Sequence, residues 1–451
     1  MKTESSLFVP RSQADTTRSN AKPERDQFVD TLRAIATIAV VCGHSLVIGF
    51  WRTDGSIGGG NLLETVPGFR LLTWLFQVVP LFFVLSGYAN AAAWETGSRC
   101  RADGSAWITS RLRPIALALA VPMLVGAMVA AVGRFFDAEA IVGRALWLSS
   151  IQIWFLAVFV IVTVLSPIGL RSSASLRLQL GALLAAALAV DMVRFMVWEA
   201  VAPMNFVFVW MACHQFGVAW RRGELAGSTR RQAVRALIVC ATMVLLVAGP
   251  YSLSLVHIGG RARSNNYPPT VLLALIAMGQ VFGALALRTR IERVASGRLG
   301  AVLARVNANG MTIYLWHLAA ISLAGVASLY VPRLQQIPGS LAWWATRPLA
   351  FVLLFLCLGP IVMLAGRGER RMLMNAATKS RSVAVERPHA VDRTRPGRAA
   401  ARASVAAAAT LAATIQLCNW GMADASAPMG VRWFALSALA VALLASRPRR
   451  R

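Results

Sequence analysis

The chain predicts an all-α fold: a polytopic bundle of about ten transmembrane helices with its N-terminus in the cytoplasm. Three observations carry that prediction. Of 451 residues, 57% are hydrophobic and only 14% charged, where a soluble chain carries about 25% charged residues. Apolar runs long enough to cross a bilayer recur along most of the sequence. Basic residues gather in alternate loops: with the N-terminus inside, the inner segments hold about 36 of the 46 Lys and Arg. The formal charge of +27 therefore reads as topology and not as a nucleic-acid interface. The bilayer is the expected partner.

The elements follow in order. Residues 1–27 are polar and lack the pattern of a cleavable signal peptide. The first apolar run, 30–50, opens DTLRAIATIAVVCGH, where Arg33 and His44 bracket ten residues, eight of them Ala, Val, Ile or Cys. Eleven residues of helix turn about 1100°, so the two side chains lie about 20° from one face and about 16 Å apart. Ionisable groups inside a membrane are costly and mark functional sites. Each alone also has a plain structural reading. Arg33 can snorkel to the headgroups, and His44 can bond a neighbouring helix.

The second run, 71–93, contains PLFFVLSGY, and the third, 114–133, follows the basic run SRLRP. Ser86 and Gly87 lack the strand–turn–helix setting of a nucleophile elbow, and small residues in membrane helices favour close packing. The fourth, 148–170, contains IWFLAVF, with Trp154 read as packing or as a substrate contact. The fifth, 177–198, is interrupted by Asp191 and Arg194, three apart and placed to pair on one face. The sixth, 201–220, holds His214, read as a bond to a neighbouring helix. After 234–254 comes the outer loop RARSNNYPPT, whose prolines suit the first turn of the run 268–287. Its Asn265, Asn266 and Tyr267 form a polar cluster placed to contact a sugar. The last two runs are 310–331, with TIYLWH and its Tyr314 and His317, and 343–366.

An Arg-rich linker, 367–402, follows, and then 403–451 with two weaker apolar runs, either two extra helices or a partly ordered tail. The division is thus a polar segment 1–27, a membrane domain 28–366, the linker, and the C-terminal part. His257, in an outer loop, and His389, in the linker, read as solvated. The six Cys show no ligand spacing, so neither a disulfide framework nor a metal site is expected.

The first-helix segment resembles the signature of the acyltransferase-3 membrane acyltransferases, an acidic residue, Leu-Arg-Ala-Ile-Ala, then ten residues between Arg and His. PLFFVLSGY, SRLRP, IWFLAVF and TIYLWH are similar to later motifs of that family, in the expected order. The resemblance covers residues 26 to about 366. It implies transfer of an acyl group, often acetyl from acetyl-CoA, to a hydroxyl of a carbohydrate or other acceptor, often on the outer side. It also implies that the first-helix Arg and His are the functional pair. The family often spaces its two loop arginines three apart, whereas Arg111 and Arg113 are two apart.

The chemistry of these residues suits that reaction. A His titrates near neutrality and can serve as base for a hydroxyl, and Arg grips phosphate in a bidentate fork. His44, Arg33 and His317 are therefore the expected catalytic residues. Arg33, Arg111 and Arg113 are the expected contacts for acyl-CoA, and Ser86, Trp154, Tyr314 and Asn266 are candidate substrate contacts. In the N-in orientation Arg33 lies at the cytosolic end and His44 in the outward half. His317, counted from the cytosolic end of its own run, is expected nearer in depth to Arg33, near the acyl donor and without a direct bond to His44. A transporter or flippase of a glycan or lipid-linked sugar is the competing reading. No matched inverted halves support it. A non-catalytic sensor is the third, against which the retained Arg33, His44 and His317 count.

Overall fold

The computed structural model describes residues 26–53, 56–96, 104–256, 264–385 and 396–447. Helix α1, Gln27–Val47, starts at Asp26, whose carboxylate accepts the Phe28 and Val29 N–H groups. Those amides have no partner within the helix, which is why an acidic residue suits this position. The chain then leaves as an antiparallel hairpin, β1 (Ile48–Thr53) and β2 (Ser56–Asn61), pairing Ile48 with Asn61. The first apolar run therefore stops being helical at Val47, short of the expected residue 50. Its last residues, with the β-branched Ile48 and the aromatic Phe50, favour a strand.

Fourteen further helices complete the bundle after three short helical turns between Leu62 and Phe76. They are α2 (Val79–Thr96), α3 (Gly104–Phe135), α4 (Glu139–Leu148), α5 (Trp154–Arg171) and α6 (Leu176–Met196). Next come α7 (Asn205–Arg221), α8 (Thr229–Ala248), α9 (Val271–Ala286) and α10 (Arg288–Ser296). The series continues with α11 (Arg298–Ala308), α12 (Gly310–Ser328) and α13 (Leu341–Val385). It closes with α14 (Pro396–Trp420) and α15 (Trp433–Ala445). Among the described residues ten helical segments are long and apolar enough to cross a membrane, and α9 with α10 makes a further span bent by 71°. The protein is a multi-pass all-α membrane bundle. The expected spans are all present, but the third begins ten residues early, at Gly104, and the last runs on through the expected linker to Val385.

The main core joins α2, α5, α7 and α9, with Phe83 on Trp210 at a centroid distance of 4.6 Å. At the α2–α7 crossing, Gly87 packs on the His214 carbonyl and Gly217 on the Val84 carbonyl, where any side chain would strike backbone. Glycine lets these helices approach closely. Outside the expected membrane domain, α14 and α15 are ordered helices. They bury Ala413, Leu417 and Leu439 with Leu119, Met123, Ile153 and Leu315 in a second core.

Asp191 and Arg194 do not pair as expected. Asp191 accepts hydrogen bonds from Asn205 Nδ2 (2.9 Å), Tyr251 Oη (3.1 Å) and the Val271 N–H (2.9 Å) at the start of α9. Arg194 donates to Glu199 (2.9 Å) and to the Ser264 carbonyl (3.2 Å). A buried charge needs several hydrogen bonds. The 251–271 segment and α7 supply more of them than one i,i+3 neighbour does.

Candidate active site

One cavity of about 1720 Å³ runs through the bundle. Asp30, Arg33, Thr37 and His44 line it from α1, as a single helical face does. Ser86 and Asn90 line it from α2, one turn apart, and Ile313, Tyr314 and His317 from α12. Asn90, Arg111 and Asn307 line it too, Asn307 in contact with Arg33, and beyond the His44 end of α1 it is lined by Gly58–Asn61 of β2 and Glu64, with Arg144 and Asn266 also in its wall. Trp154, Phe155 and Phe159 make the apolar wall between.

Arg33 is fixed from two sides. Its Nη1 donates to Asp30 Oδ1 at 2.8 Å and to Asn307 Oδ1 at 3.4 Å. Arg111 lies with its guanidinium 4.5 Å from the centre of the Trp107 ring and reaches the cavity. Arg113 does not line it: residues two apart on a helix point about 200° apart, so one loop arginine of the expected pair faces elsewhere.

His44 and His317 meet directly, contrary to the depth expected from sequence. His317 Nε2 is 3.1 Å from His44 Nδ1, and the rings are stacked with centroids 5.1 Å apart. The reason is register. A Cβ on Gly310, the first residue of α12, would lie 4.0 Å from Thr37 Oγ1. Seven residues further along each helix come His317 and His44. Equal rises of about 10 Å bring them level. Counting from the start of the apolar run missed this, because α12 begins beside the third turn of α1 and not at its foot.

The hydrogen bonds assign the tautomers. His317 Nδ1 is 2.7 Å from the Tyr314 carbonyl, which can only accept, so Nδ1 carries a proton. In the neutral ring Nε2 is then an acceptor, and it receives the proton on His44 Nδ1. His44 Nε2 is left as a lone pair. His44 is half-buried and lines the cavity; His317 is fully buried behind it.

The other expected residues divide. Ser86, Trp154, Tyr314 and Asn266 all line the cavity. The Tyr314 hydroxyl donates to the Gln152 carbonyl at 2.6 Å. Asn266 Oδ1 is buried without a hydrogen-bond partner, whereas Asn265 is spent on its own loop, bonding the Ser252 and Ser254 carbonyls. Tyr267 packs edge-on against Phe206. His214 bonds Asn90 at 3.1 Å and stays out of the cavity. His257 and His389 lie outside the described residues.

Gln152, Asn90 and Asn307 escaped sequence reasoning. Gln152 had a usable signal, a polar side chain in an apolar run. Asn90 had a fainter one, four residues after Ser86 on the same helix face. Asn307 had none, since it lies outside the expected spans in a short helix that also carries Arg298 and Arg305. A family model described as an acyltransferase domain matches residues 26–365. No curated protein and no solved structure matches the chain.

Proposed function

The chain belongs to the acyltransferase-3 family, and from that premise we propose that it transfers an acetyl group from cytosolic acetyl-CoA to a hydroxyl of a carbohydrate acceptor at the outer face of the bacterial plasma membrane. The observation that carries this reading is a single cavity that has two arginines at one end and the His44–His317 pair in its wall. Arg33 and Arg111 face phosphate groups of CoA by bidentate donation. The extended pantetheine arm spans the separation between Arg33 and His44. The acceptor enters from the end lined by β2 and Glu64.

His44 Nε2 takes the proton from the acceptor hydroxyl as its oxygen attacks the thioester carbonyl carbon. The carbon–sulfur bond then breaks, the ester remains on the acceptor, and the imidazolium returns its proton to the departing CoA sulfur. His317 orients His44 through the shared Nδ1 proton and stabilises the charge it acquires. A positioned base of this kind contributes about 10²–10⁴-fold.

The test is CoA release and label transfer from radiolabelled acetyl-CoA by the purified protein in lipid nanodiscs. Turnover is expected in the wild type and lost in His44→Ala with an unchanged melting temperature. A folded His44→Ala protein with full activity contradicts the reading.

A further inference from the structure

Helices α10 and α11 follow the apolar helix α9 but do not continue its direction. The chain turns by 71° where α9 meets α10, and Gly297 separates α10 from α11. Both helices pack on α1. Arg288 holds its guanidinium 4.9 Å from the centre of the Phe28 ring and pairs with Glu292 at 2.7 Å. Asn307 Oδ1 accepts from Arg33. The pair therefore lies at the end of the bundle where α1 begins, the end that the basic loops assign to the cytosol.

Each helix is banded. On α11, Leu303 is buried against the protein, Leu299 and Val302 are exposed, and so are Arg298 and Arg305. On α10, Ala295 is buried, and Val294, Arg290 and Arg293 are exposed. At about 100° per residue, the exposed apolar residues fall between the buried face and Arg290 on α10, and between it and both arginines on α11. Residues 288–308 carry five arginines and one glutamate, and that glutamate pairs with Arg288. The guanidinium groups of Arg290, Arg293, Arg298 and Arg305 make no hydrogen bond, ion pair or ring contact with another described residue. None of the four lines the cavity. A helix with an apolar band beside a cationic edge lies in a membrane surface, the band at the acyl boundary and the cations among the headgroups.

We propose that α10 and α11 form a binding surface for anionic phospholipid, with Val294, Leu299 and Val302 against the upper acyl chains and the four arginines on the headgroup phosphates. The uncompensated positive charge selects anionic over zwitterionic headgroups, whose phosphates carry their own cation. A soluble phosphate ligand would satisfy the arginines and leave the apolar band in water. Because α11 also sets Asn307 against Arg33, one helix joins the lipid surface to the Arg33 end of the cavity. This surface is independent of the acyl-transfer reading.

The experiment uses the full chain in nanodiscs of phosphatidylcholine with about 20% phosphatidylglycerol. The photoreactive substitution Val302→p-benzoylphenylalanine is introduced, and lipids joined to the protein on irradiation are identified by mass spectrometry. Phosphatidylglycerol is expected at least about threefold above its share of the bilayer. With Arg290, Arg293, Arg298 and Arg305 all changed to Gln, that enrichment is expected to disappear. With the same four changed to Lys it should persist, which separates charge from loss of fold. The same probe at Val234, exposed near the start of α8, should show a lipid ratio that does not respond to the four substitutions. Four results would overturn the proposal: no lipid joined at Val302, phosphatidylglycerol there only in proportion to its share, an enrichment that survives the change to Gln, or one lost equally with Lys. An equal fall at Val234 would overturn it too, since the effect would then belong to the whole molecule.

Discussion

Two histidine contacts of the same length sit in different parts of this bundle. His317 Nε2 lies 3.1 Å from His44 Nδ1, and His214 Nε2 lies 3.1 Å from Asn90 Nδ2. His214 is fully buried at the α2–α7 crossing, and Asn90 Nδ2 occupies its lone pair. Its other nitrogen has no partner and faces protein. His44 is half-buried, lines the cavity, and keeps Nε2 free of the internal chain of bonds. The distance is the same and the chemistry is not. In the proposed reaction His44 serves as the base because a lone pair is left over where the cavity reaches it, whereas His214 is a polar strut between helices.

That contrast breaks most readily at the histidines themselves. His44→Gln should lower acetyl-CoA turnover by about 10²–10⁴-fold at unchanged melting temperature. His214→Gln should leave turnover per folded molecule nearly intact and lower stability by about 1 kcal/mol. Equal losses of turnover in the two variants would erase the distinction. At the basic end of the cavity, Arg33→Gln removes a charge-assisted contact and should raise KM for acetyl-CoA about 10- to 100-fold with kcat little changed. A fall in kcat alone would move Arg33 from donor binding to the chemical step. At the structural crossing, Gly217→Ala drives a methyl group into the Val84 carbonyl and should cost about 1–3 kcal/mol. Thermal unfolding in nanodiscs reads this, and activity of the folded fraction should persist. The smallest effect is expected for Asp30→Asn, whose half-exposed ion pair with Arg33 contributes below about 1 kcal/mol. A shift in KM without a change in melting temperature would show that Asp30 acts only by aiming Arg33.

The fold was largely legible in the sequence, because apolar length and loop charge are strong signals in a bilayer. The hairpin Ile48–Asn61 was not: Gly58–Gly60 carry no periodicity, and the strand continues an apolar run without a break. The C-terminal helices were seen only as alternatives, since Ala-rich runs say little about what they pack against. At the site, Arg33 and His44 declared themselves by residue type and by sharing one face. Asp191 and Arg194 shared a face too and misled, because their partners come from a distant loop. The His44–His317 contact depends on the register between α1 and α12, set where Gly310 meets Thr37. No single-helix count contains that register. Arg113 failed for the converse reason, as two residues of helix reverse a side chain's direction.

The central claim is that His44 and His317 act as one unit, with His317 orienting the base. The most direct measurement is a double-mutant cycle on acetyl-CoA turnover with His44→Ala, His317→Ala and the combined variant, all checked for folding. Groups that act as a unit are strongly non-additive. The double variant is therefore predicted to be no more impaired than His44→Ala alone. Losses that multiply, each variant adding its full effect to the other, would contradict a shared role.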